Sequence, residues 1–426
     1  MSNTTTDHAA QTGDHARRTD VAVVGAGLAG LAAARLLQQQ GLSVTVLEPQ
    51  PTGGRGRTDE RRGFLFNRGP HALYLGGHAE RVLGNLGVAP AGGPPSKESA
   101  GLVGDRIGVL PGGASTLLRT SLLGARGKLA IGTLLGGLAK VDAAGLSGVS
   151  LASWLDSRRL PHDARQLVEA IARVSSYSNA PDLASADMVV GQIQLAVAHG
   201  VRYVHGGWQT IVDALAEGIE IQRLAAVHVG RDGADVVVST ADGRRVVASA
   251  VVLAVGTPTA SAALLERAPF DVGPPIEAAC LDLGTSRASS PGVLLGIDQP
   301  LYLSNHCPPA RLAPEGQFLV HVARYLAPDD DADPTAQTAE LAQHAARAGI
   351  TDEHIIEQRY LHRMTVAGAL PTAALDGLRG RPTTTASGVD GVFLAGDWVG
   401  PRGHLLDASL ASAEDAAAAA VRLVKR

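Results

Sequence analysis

Shortages in composition exclude several classes of function before any motif is considered. Phe, Trp and Tyr make up only 3% of the 426 residues, which argues against an aromatic stacking surface as the main binding device. The formal net charge is −4, so the chain has no basic excess for binding nucleic acid. Its two cysteines, Cys280 and Cys307, lie far apart in sequence and predict neither a disulfide framework nor a metal site. We therefore expect a cytoplasmic protein without a bound metal or a nucleic-acid partner.

Long apolar runs are also missing. Residues 1–19 are polar and lack the apolar centre of a signal peptide, so we interpret them as a disordered leader. The longest uncharged stretch, residues 246–265, contains Gly256, Thr257 and Pro258 near its middle. Such residues end a strand and begin a helix, and the stretch therefore predicts ordinary α/β structure rather than a membrane span.

Residues 114–138 are the segment in which contact with a membrane has to be weighed. They are rich in leucine, alanine and glycine, and Arg126 and Lys128 interrupt them. The pattern predicts one or two helices, and the segment is too short and too charged to span a membrane. We favour helices in the core over the wall of an apolar tunnel or a peripheral contact with a membrane surface.

The most informative motif lies near the N-terminus. Gly25, Gly27 and Gly30 have the spacing G-x-G-x-x-G, with the apolar run 21–24 before them and the helix-forming residues 28–40 after them. The first glycine permits a tight turn, the second lets the backbone approach a pyrophosphate, and the third allows helix and strand to pack closely. The first helical turn offers free N–H groups to the anion. The cofactor-binding residues predicted here are Gly25, Ala26, Gly27, Leu28, Ala29 and Gly30.

An acidic residue completes this motif. Residues 43–47 predict a second parallel strand, and Glu48 follows it directly, 23 positions after Gly25. A carboxylate at that position can accept hydrogen bonds from ribose hydroxyls. The strand, the helix and the acid together favour dinucleotide binding over a glycine turn with a purely structural role.

A turn rich in glycine and arginine follows at residues 53–58. Gly54 lets the backbone pass close to a cofactor, and the guanidinium groups of Arg55 and Arg57 can face the charge of a pyrophosphate. The alternative is an exposed basic turn. We favour the cofactor because the turn comes directly after the dinucleotide motif.

Residues 64–74 form an irregular segment that predicts a loop facing the cofactor. Gly69 and Pro70 interrupt its apolar pattern. His71 is our candidate catalytic residue, because an imidazole can handle protons or donate a hydrogen bond near a reactive ring. A histidine that is satisfied by the backbone is the alternative interpretation.

The C-terminal residues predict a second element that handles the cofactor. Residues 391–395 form a short apolar run, Gly396 and Asp397 end it, and residues 409–424 predict a helix. Asp397 can accept hydrogen bonds from a ribitol or ribose hydroxyl. An aspartate that caps a helix would show the same pattern, so both interpretations stay open.

The middle of the chain alternates strands, turns and helices. Residues 203–217 predict a short strand and an amphipathic helix, and residues 219–255 predict strands joined by tight turns. Residues 276–326 predict a second, largely antiparallel sheet. A helix at residues 335–348 and a strand at residues 354–362 follow it.

With these features in this order, the chain resembles the FAD-dependent amine oxidase and phytoene desaturase superfamily, over residues 20–426. The resemblance implies an α/β fold with a Rossmann-like FAD-binding domain, whose parallel sheet carries a β-meander, and a substrate domain of mixed or antiparallel sheet and helices. It assigns residues 20–75, 201–268 and 386–426 to the FAD-binding domain, and residues 76–200 and 269–385 to the substrate domain.

The resemblance also implies roles for individual residues. Glu48 would bind the adenosine ribose, Arg55 the pyrophosphate, and Asp397 the ribityl chain or a phosphate. The backbone at Ala226 and Val227 would touch adenine. The residues that it places beside the isoalloxazine ring are Gly69, Pro70, His71, Leu406, Asp407, Ala408 and Ser409.

Departures from the family pattern bear on the substrate. The Gly-Ala pair expected before the final helix is Ala408 and Ser409 here, and no two tyrosines match the cage of amine oxidases. The chain is therefore more similar to phytoene desaturases, whose substrates are apolar polyenes. We predict an FAD-dependent oxidoreductase that dehydrogenates an apolar small molecule, such as an isoprenoid or polyene, by hydride transfer to flavin N5. His362 and Arg363 are further candidates for substrate contact.

Three alternatives stay open. A flavin-dependent amine oxidase has the same cofactor elements. An aromatic-ring monooxygenase shares the first motif, but Asp397 stands 29 residues from the end of the chain and leaves little room for later substrate elements. A non-catalytic carrier similar to the GDP-dissociation inhibitors would not need both Glu48 and Arg55.

Overall fold

The computed structural model describes residues 17–331 and 333–426. Of the segment interpreted as a leader, residues 1–16 lie outside the described residues. Residues 17–19 do not belong to a leader, because they begin a strand and pair in register with residues 246–248. Arg18 also donates two hydrogen bonds to the carboxylate of Asp235, at 2.7 and 2.9 Å.

The strands in chain order are β1 (Arg17–Val24), β2 (Val44–Leu47), β3 (Thr58–Arg61), β4 (Phe64–Asn67), β5 (Leu73–Tyr74), β6 (Gly92–Gly93), β7 (Ser99–Val103), β8 (Arg106–Val109), β9 (Val201–Val204), β10 (Ile221–Gln222), β11 (Ala226–Asp232), β12 (Asp235–Thr240), β13 (Arg245–Leu253), β14 (Ile276–Thr285), β15 (Val293–Gly296), β16 (Leu301–Cys307), β17 (Phe318–Tyr325), β18 (Ile355–Ala367) and β19 (Val392–Leu394).

The helices in chain order are α1 (Leu28–Gln39), α2 (His78–Asn85), α3 (Ala114–Arg119), α4 (Ala125–Leu138), α5 (Leu151–Ser157), α6 (His162–Ser176), α7 (Ala186–His199), α8 (Gln209–Ala216), α9 (Pro258–Leu264), α10 (Pro334–Arg347) and α11 (Leu406–Val424). Short 3-10 turns occur at Gly54–Gly56, Ala143–Leu146, Asp352–His354 and Ala373–Leu375.

The first sheet has the strand order β10, β2, β1, β13, β12, β11, and β19 pairs with β13. Parallel pairing joins β10 to β2, β2 to β1, β1 to β13 and β13 to β19. The strands β11, β12 and β13 form an antiparallel meander. The predicted Rossmann-like parallel sheet with a β-meander is confirmed.

Small side chains bring the helices of this unit close to the sheet. In α1 the residues Ala32, Ala33 and Ala34 are fully buried, and in α11 Ala413 and Ala416 are fully buried in the same core. Alanine loses almost no side-chain entropy when it is buried, and its small volume allows close helix packing. The first and last helices of the described chain therefore lie side by side, and they bring the two cofactor motifs into one layer.

The second sheet has the strand order β18, β14, β17, β16, β15, β7, β8. Its pairs are antiparallel except for the parallel pair of β15 with β7. The expectation of a second, largely antiparallel sheet is therefore confirmed, although β7 and β8 were not predicted. The sheet combines strands from residues 76–200 and 269–385, the two segments that we assigned to a substrate domain.

The helices predicted within residues 114–138 are present as α3 and α4, but the preferred core position is wrong. None of the residues of α3 is buried, and α4 buries only Gly127, Ile131 and Leu138. The reason is geometric, because the single apolar stripe of α4 is enough to pack it on its neighbours and leaves Leu129 and Leu135 exposed. No helix within residues 17–331 and 333–426 combines the length and apolar character needed to cross a membrane.

Candidate active site

A cavity of about 760 Å³ runs from the first sheet to β18 of the second sheet. Residues at or just beyond the carboxyl ends of β1, β2, β13 and β19 form one part of its wall. The turn at residues 53–57 and the start of α11 form the next part. Open α/β sheets bind ligands at the carboxyl ends of their parallel strands, and the volume is in the range of cofactor sites.

The three glycines of the N-terminal motif meet different constraints. Gly25 has a φ of +104°, and a Cβ there would lie 2.4 Å from the carbonyl oxygen of Ala254. A Cβ on Gly30 would lie 1.9 Å from the carbonyl oxygen of Gly25. Gly27 lines the cavity, and a Cβ there would meet no atom of the described residues within 4 Å. The first and third glycines are therefore needed for packing, whereas the second keeps open space.

Helix α1 begins beside this open space without a cap. Its N-cap is Gly27, and no side chain within the described part of the chain caps it. Its first turn also contains no acidic residue. The first N–H groups of the helix and the positive end of its dipole therefore remain available to an anion, as a pyrophosphate requires.

Glu48 stands at the end of β2 and lines the cavity. Its Oε2 accepts a hydrogen bond from the N–H of Ala26 at 3.0 Å, and its Oε1 accepts one from the N–H of Gln50 at 2.8 Å. These bonds fix the carboxylate beside the glycine turn, in the position from which an acidic residue binds ribose hydroxyls. The carboxylate thus links the glycine turn to the second strand.

Arg55 and Asp397 join the two ends of the chain in one ion pair. Arg55 Nη1 lies 2.6 Å from Asp397 Oδ2 and 2.8 Å from the carbonyl oxygen of Val366. The N–H of Gly368 donates to Asp397 Oδ1 at 3.1 Å. Burial lowers the pKa of Arg55, but the attraction of Asp397 outweighs burial and the pKa is raised overall. The sequence predicted that these residues bind different parts of a cofactor, whereas the structure puts them in direct contact, because the buried Asp397 needs a counter-charge.

Most of the predicted site residues line this cavity. They are Gly25, Gly27, Leu28, Ala29, Glu48, Gly54, Arg55, Arg57, Pro70, His71, Ala226, Gly396, Asp397, Leu406, Asp407 and Ser409. The predicted residues that the structure places outside the cavity wall are Ala26, Gly30, Gly69, Val227 and Ala408.

The residues outside the wall have definite positions. Successive side chains of a strand point to opposite faces, and Val227 is 51% exposed while its neighbour Ala226 lines the cavity. Ala408 is fully buried in the protein, and Ala26 directs its N–H to Glu48. Gly69 contributes its carbonyl oxygen as an acceptor for a histidine. These residues are outside the cavity wall, and their contact with a cofactor stays a prediction.

His362 and Arg363 also lie outside the cavity wall, contrary to their suggested contact with a substrate. His362 Nδ1 lies 3.1 Å from Gln337 Oε1, and Arg363 pairs with Glu277 at 2.9 Å. Both residues are on exposed parts of β18, and it is the following segment of this strand, from Met364 onward, that lines the cavity. The strand was predicted to end too early, so that this segment was missed.

His71 lines the cavity in one defined tautomer. Its Nδ1 lies 2.9 Å from the carbonyl oxygen of Gly69, which can only accept, so Nδ1 carries the proton and Nε2 does not. Burial lowers the pKa of His71 to about 4, and the ring is therefore neutral at pH 7. The ring packs edge-on against Trp208 with a centroid distance of 4.5 Å. Its Nε2 can accept a hydrogen bond or a proton from a bound molecule.

A second neutral histidine, His404, lines the same cavity and was not predicted. Its Nε2 lies 3.0 Å from the carbonyl oxygen of Ser176, so Nε2 carries the proton. Burial lowers the pKa of His404 to about 4. His404 comes two residues before α11, in a loop that the sequence marks only by its glycines.

Two tyrosines and a tryptophan lie in the wall, although the scarcity of aromatic residues argued against an aromatic stacking surface as the main binding device. Tyr74, Tyr177 and Trp208 all line the cavity. The hydroxyl of Tyr74 donates to the carbonyl oxygen of Ser175 at 3.0 Å, and that of Tyr177 donates to the carbonyl oxygen of Pro70. Burial raises the pKa of Tyr74 to about 12 and that of Tyr177 well above its usual range. Three of the 14 aromatic residues of the chain thus line the cavity.

Backbone strain marks the same end of the cavity. Tyr177 has a φ of +60° directly after α6, and Leu405 has a φ of +53° directly before α11. Such values are costly for residues other than glycine and are common at functional sites. His404 ties the two segments together through Ser176. These two positions carry no glycine in the sequence, so no signal could have revealed them.

Asp407 stands in the first turn of α11, which begins at Leu406 and thus three residues earlier than predicted. Its Oδ1 accepts the N–H of Ala79 at 2.6 Å, at the start of α2. Burial raises the pKa of Asp407 to about 6. The carboxyl group lines the cavity. Because its pKa is about 6, its charge changes within the pH range of ordinary buffers.

A second group of ionisable side chains lies outside the cavity wall. Ligand-type atoms of Cys280, Asp282 and His321 lie within 4.8 Å of one another, and all three residues are buried. The guanidinium group of Arg359, however, donates to Asp282 Oδ2 from Nε at 3.0 Å and from Nη2 at 2.5 Å. A cation already neutralises the carboxylate, so the geometry favours a buried ion-pair network over a metal centre.

A family model described as flavin containing amine oxidoreductase matches residues 28–285, which is more than half of the chain. The protein belongs to this family. The family comprises flavin-dependent oxidoreductases, and the match therefore favours an enzyme over a non-catalytic carrier. The matched residues include Glu48, Arg55 and His71, whereas the first glycines of the motif and Asp397 lie outside the match.

Solved structures agree on the fold. The chain is similar to an oxidoreductase from Methanosarcina mazei, with a TM-score of 0.75, 19% identity and coverage of 93% of this chain and 99% of that one. It is similar to putrescine oxidase bound to putrescine, with a TM-score of 0.74, 18% identity and coverage of 95% of this chain and 99% of that one. It is also similar to cyclohexylamine oxidase from Brevibacterium oxydans IH-35A, with a TM-score of 0.71, 16% identity and coverage of 96% of this chain and 100% of that one. At these identities the similarity shows the fold alone.

FAD is the cofactor of this family, and the cavity fits it. The open space at Gly27 and the uncapped start of α1 suit a pyrophosphate, and Glu48 suits a ribose. The pair of Arg55 and Asp397 and the histidines and tyrosines described above line the same cavity. When bound, FAD supplies the acceptor for the electrons that a substrate loses.

Proposed function

We propose that the protein dehydrogenates an apolar small molecule, with FAD as the electron acceptor. The observation that carries this proposal is the character of the cavity beyond Arg55. Tyr74, Tyr177, Met364 and Leu405 line it there, and the two histidines are neutral at pH 7. This apolar and aromatic part of the wall favours a substrate such as an isoprenoid or polyene.

In this proposal the chain contributes orientation, water exclusion and a proton acceptor. The apolar and aromatic wall would position a C–H bond of the substrate and keep water away from it. His71 Nε2 is unprotonated and can take up a proton that the substrate loses, or accept a hydrogen bond from it. A closer relation to phytoene desaturases than to amine oxidases remains part of the proposal.

A second candidate function is oxidation of an amine. Two observations favour it: Tyr74 and Tyr177 both line the cavity, and the carboxyl group of Asp407 lies in the same wall. Aromatic faces and a carboxylate both attract an ammonium group. Two of the similar structures are amine oxidases, for putrescine and cyclohexylamine.

Anaerobic bleaching of the bound flavin separates these functions. The purified protein is mixed with a panel of isoprenoid polyenes, aliphatic amines and cyclic alcohols, and the loss of flavin absorbance is followed over time. We expect polyenes to bleach the flavin and amines to leave it oxidised. Rapid bleaching by amines alone would replace the first proposal by the second. Reduction of the flavin by a nicotinamide cofactor, followed by oxygenation of a substrate, would support the monooxygenase alternative instead.

A further inference from the structure

Two leucines on neighbouring helices are the most exposed large apolar side chains in the described part of the chain. Leu118 of α3 is 75% exposed and Leu129 of α4 is 74% exposed. Lys128 Nζ donates to the carbonyl oxygen of Leu118 at 2.7 Å, which holds the end of α3 against the start of α4. We name the exposed surface of these two adjoining helices the α3–α4 face.

The rest of the exposed side of α4 offers no obstacle to a flat apolar contact. Gly132, Thr133 and Gly136 are exposed and follow Leu129 at helical spacing. The hydroxyl of Thr133 donates to the carbonyl oxygen of Leu129 at 3.0 Å, so the side chain satisfies its hydrogen bond within the helix. Small side chains between larger apolar ones let a helix lie close to a surface.

The segment that carries this face contains only basic charges, although the carboxylate of Asp163 on α6 lies against the start of α4. Residues 106–141 contain no aspartate or glutamate, although the chain as a whole has a net charge of −4. The basic residues in this segment are Arg106, Arg119, Arg126, Lys128 and Lys140. Arg119, Arg126 and Lys140 are exposed, and among the described residues no carboxylate forms an ion pair with any of the three.

Exposed leucines with a cationic rim are the pattern of helices that lie in a membrane interface. The leucines gain free energy in the acyl region, and the arginines and lysines are attracted to anionic headgroups. A second copy of this chain is a poorer match, because a symmetric contact would bring two cationic rims together. We propose that the α3–α4 face docks the protein on the surface of an anionic lipid bilayer.

Helix α6 connects this face to the wall of the cavity. The N–H of Gly124, just before α4, donates to Asp163 Oδ2 of α6 at 2.7 Å. Helix α6 ends at Ser176, and the next residue, Tyr177, lines the cavity. The α3–α4 face and the cavity thus lie at opposite ends of α6, whose 15 residues span about 20 Å. The membrane contact itself does not depend on the proposed function, since it can be tested without any substrate.

Vesicle flotation tests the proposal with the FAD-loaded, full-length protein. We expect it to float with vesicles of equal parts phosphatidylserine and phosphatidylcholine, and to remain unbound with phosphatidylcholine alone. Replacing Leu118→Ser together with Leu129→Ser should lower binding to the anionic vesicles about tenfold. Leu423→Ser is the matched control, because Leu423 is 38% exposed near the end of α11, away from the face. It should bind as the wild type does.

Charge is tested in the same assay. Replacing Arg126→Gln together with Lys140→Gln should lower binding to anionic vesicles about tenfold and weaken its dependence on salt. The control, Arg422→Gln with Lys425→Gln, removes two exposed charges near the C-terminus and should have little effect. Thermal unfolding and flavin content should be unchanged in all four variants, because every replaced side chain is exposed.

Several results would overturn the proposal. One is that the wild type fails to float with anionic vesicles, and another is that the Leu118 and Leu129 variant binds as well as the Leu423 control. Equal binding to anionic and neutral vesicles would contradict the role of the basic rim. A dimer that sedimentation equilibrium detects, and that Leu118→Ser dissociates, would assign the face to a second copy of the chain instead.

Discussion

The cofactor end and the substrate end of the cavity are built in different ways. At the cofactor end, backbone geometry forms the site: Gly25 and Gly30 permit close packing, Gly27 keeps space, and the start of α1 offers N–H groups. At the end to which we assign the substrate, side chains such as Tyr177 and Met364 line the cavity, and they come from segments far apart in sequence. The first kind of site can be recognised in a short motif, whereas the second exists only after folding.

The largest expected effect concerns the residue that connects the two ends. Arg55→Ala would leave the carboxylate of Asp397, which is only 3% exposed, without its counter-charge. We expect the free energy of unfolding of the FAD-free protein to fall by about 3 kcal/mol. Urea unfolding measures this change, and the absorbance of the purified protein measures the accompanying loss of FAD.

A second variant keeps this test specific. Adding Asp397→Asn to Arg55→Ala removes the unpaired charge and should restore part of the lost stability. Equal stability of the wild type and Arg55→Ala would show that the pair does not join the two ends. Equal instability of the single and the double variant would show that the cost has another origin.

Asp407 leads to a prediction of how the stability of the protein depends on pH. Burial raises its pKa in the folded protein to about 6, above its ordinary value, so the folded protein holds this proton more tightly than the unfolded chain. The wild type therefore loses stability as the pH rises through this range. We expect Asp407→Asn to be more stable than the wild type by up to about 3 kcal/mol at pH 8, and to lose this advantage near pH 4.

Urea unfolding of both proteins across this pH range measures the difference. A difference that does not change with pH would contradict the raised pKa. Loss of FAD in Asp407→Asn would instead place this carboxyl group at the cofactor end.

Two glycines of the same motif separate folding from cofactor binding. Gly30→Ala would force a Cβ against the carbonyl oxygen of Gly25 and should cost about 1 to 3 kcal/mol of stability. Gly27→Ala meets no described atom within 4 Å, so it should leave the stability of the FAD-free protein almost unchanged. We expect it to weaken FAD binding about tenfold, because the methyl group occupies the space of the pyrophosphate.

Fluorescence titration with FAD and urea unfolding check this pair of variants. If Gly27→Ala binds FAD as tightly as the wild type, the pyrophosphate does not lie at Gly27. If Gly30→Ala is as stable as the wild type, the close packing described here is wrong.

The smallest expected effect lies at the substrate end. Tyr177→Phe removes the hydrogen bond to the carbonyl oxygen of Pro70 and should cost about 1 kcal/mol of stability. FAD content should stay at the wild-type level, whereas KM for a substrate found in the bleaching screen should rise. Thr338→Val is the control, because it removes a hydroxyl on α10 that donates to the carbonyl oxygen of Pro334 at 2.8 Å, outside the cavity wall. Loss of FAD in Tyr177→Phe would show that Tyr177 contributes to FAD binding, and would contradict its assignment to the substrate end.

The sequence predicted the first sheet, its meander and the second sheet, because apolar runs, turn residues and the glycine spacing are local signals. It also predicted Glu48, Arg55, His71 and Asp397 as residues that meet around one site, and the structure places all four in the wall of one cavity. These residues stand beside motifs of fixed spacing. Their roles toward FAD stay predictions that the variants above can test.

Other features could not be predicted, for physical reasons. The contact of Arg55 with Asp397 depends on how α1 and α11 pack, and no local pattern encodes a pairing of residues so far apart. Tyr177 and Leu405 adopt left-handed backbone conformations that side chains rarely tolerate, so only the surrounding structure can impose them. Leu129 is exposed although its helix, α4, is rich in leucine, and a leucine-rich helix is usually buried.

The central claim is that one FAD is held between the N-terminal glycine turn and the C-terminal Gly396 and Asp397. The visible absorbance spectrum of the purified protein, before and after reduction by dithionite, tests it most directly. The structure predicts the spectrum of an oxidised flavin that dithionite bleaches, with one FAD for each chain, and a loss of this absorbance in Arg55→Ala. A colourless wild-type protein that takes up no added FAD would contradict the claim.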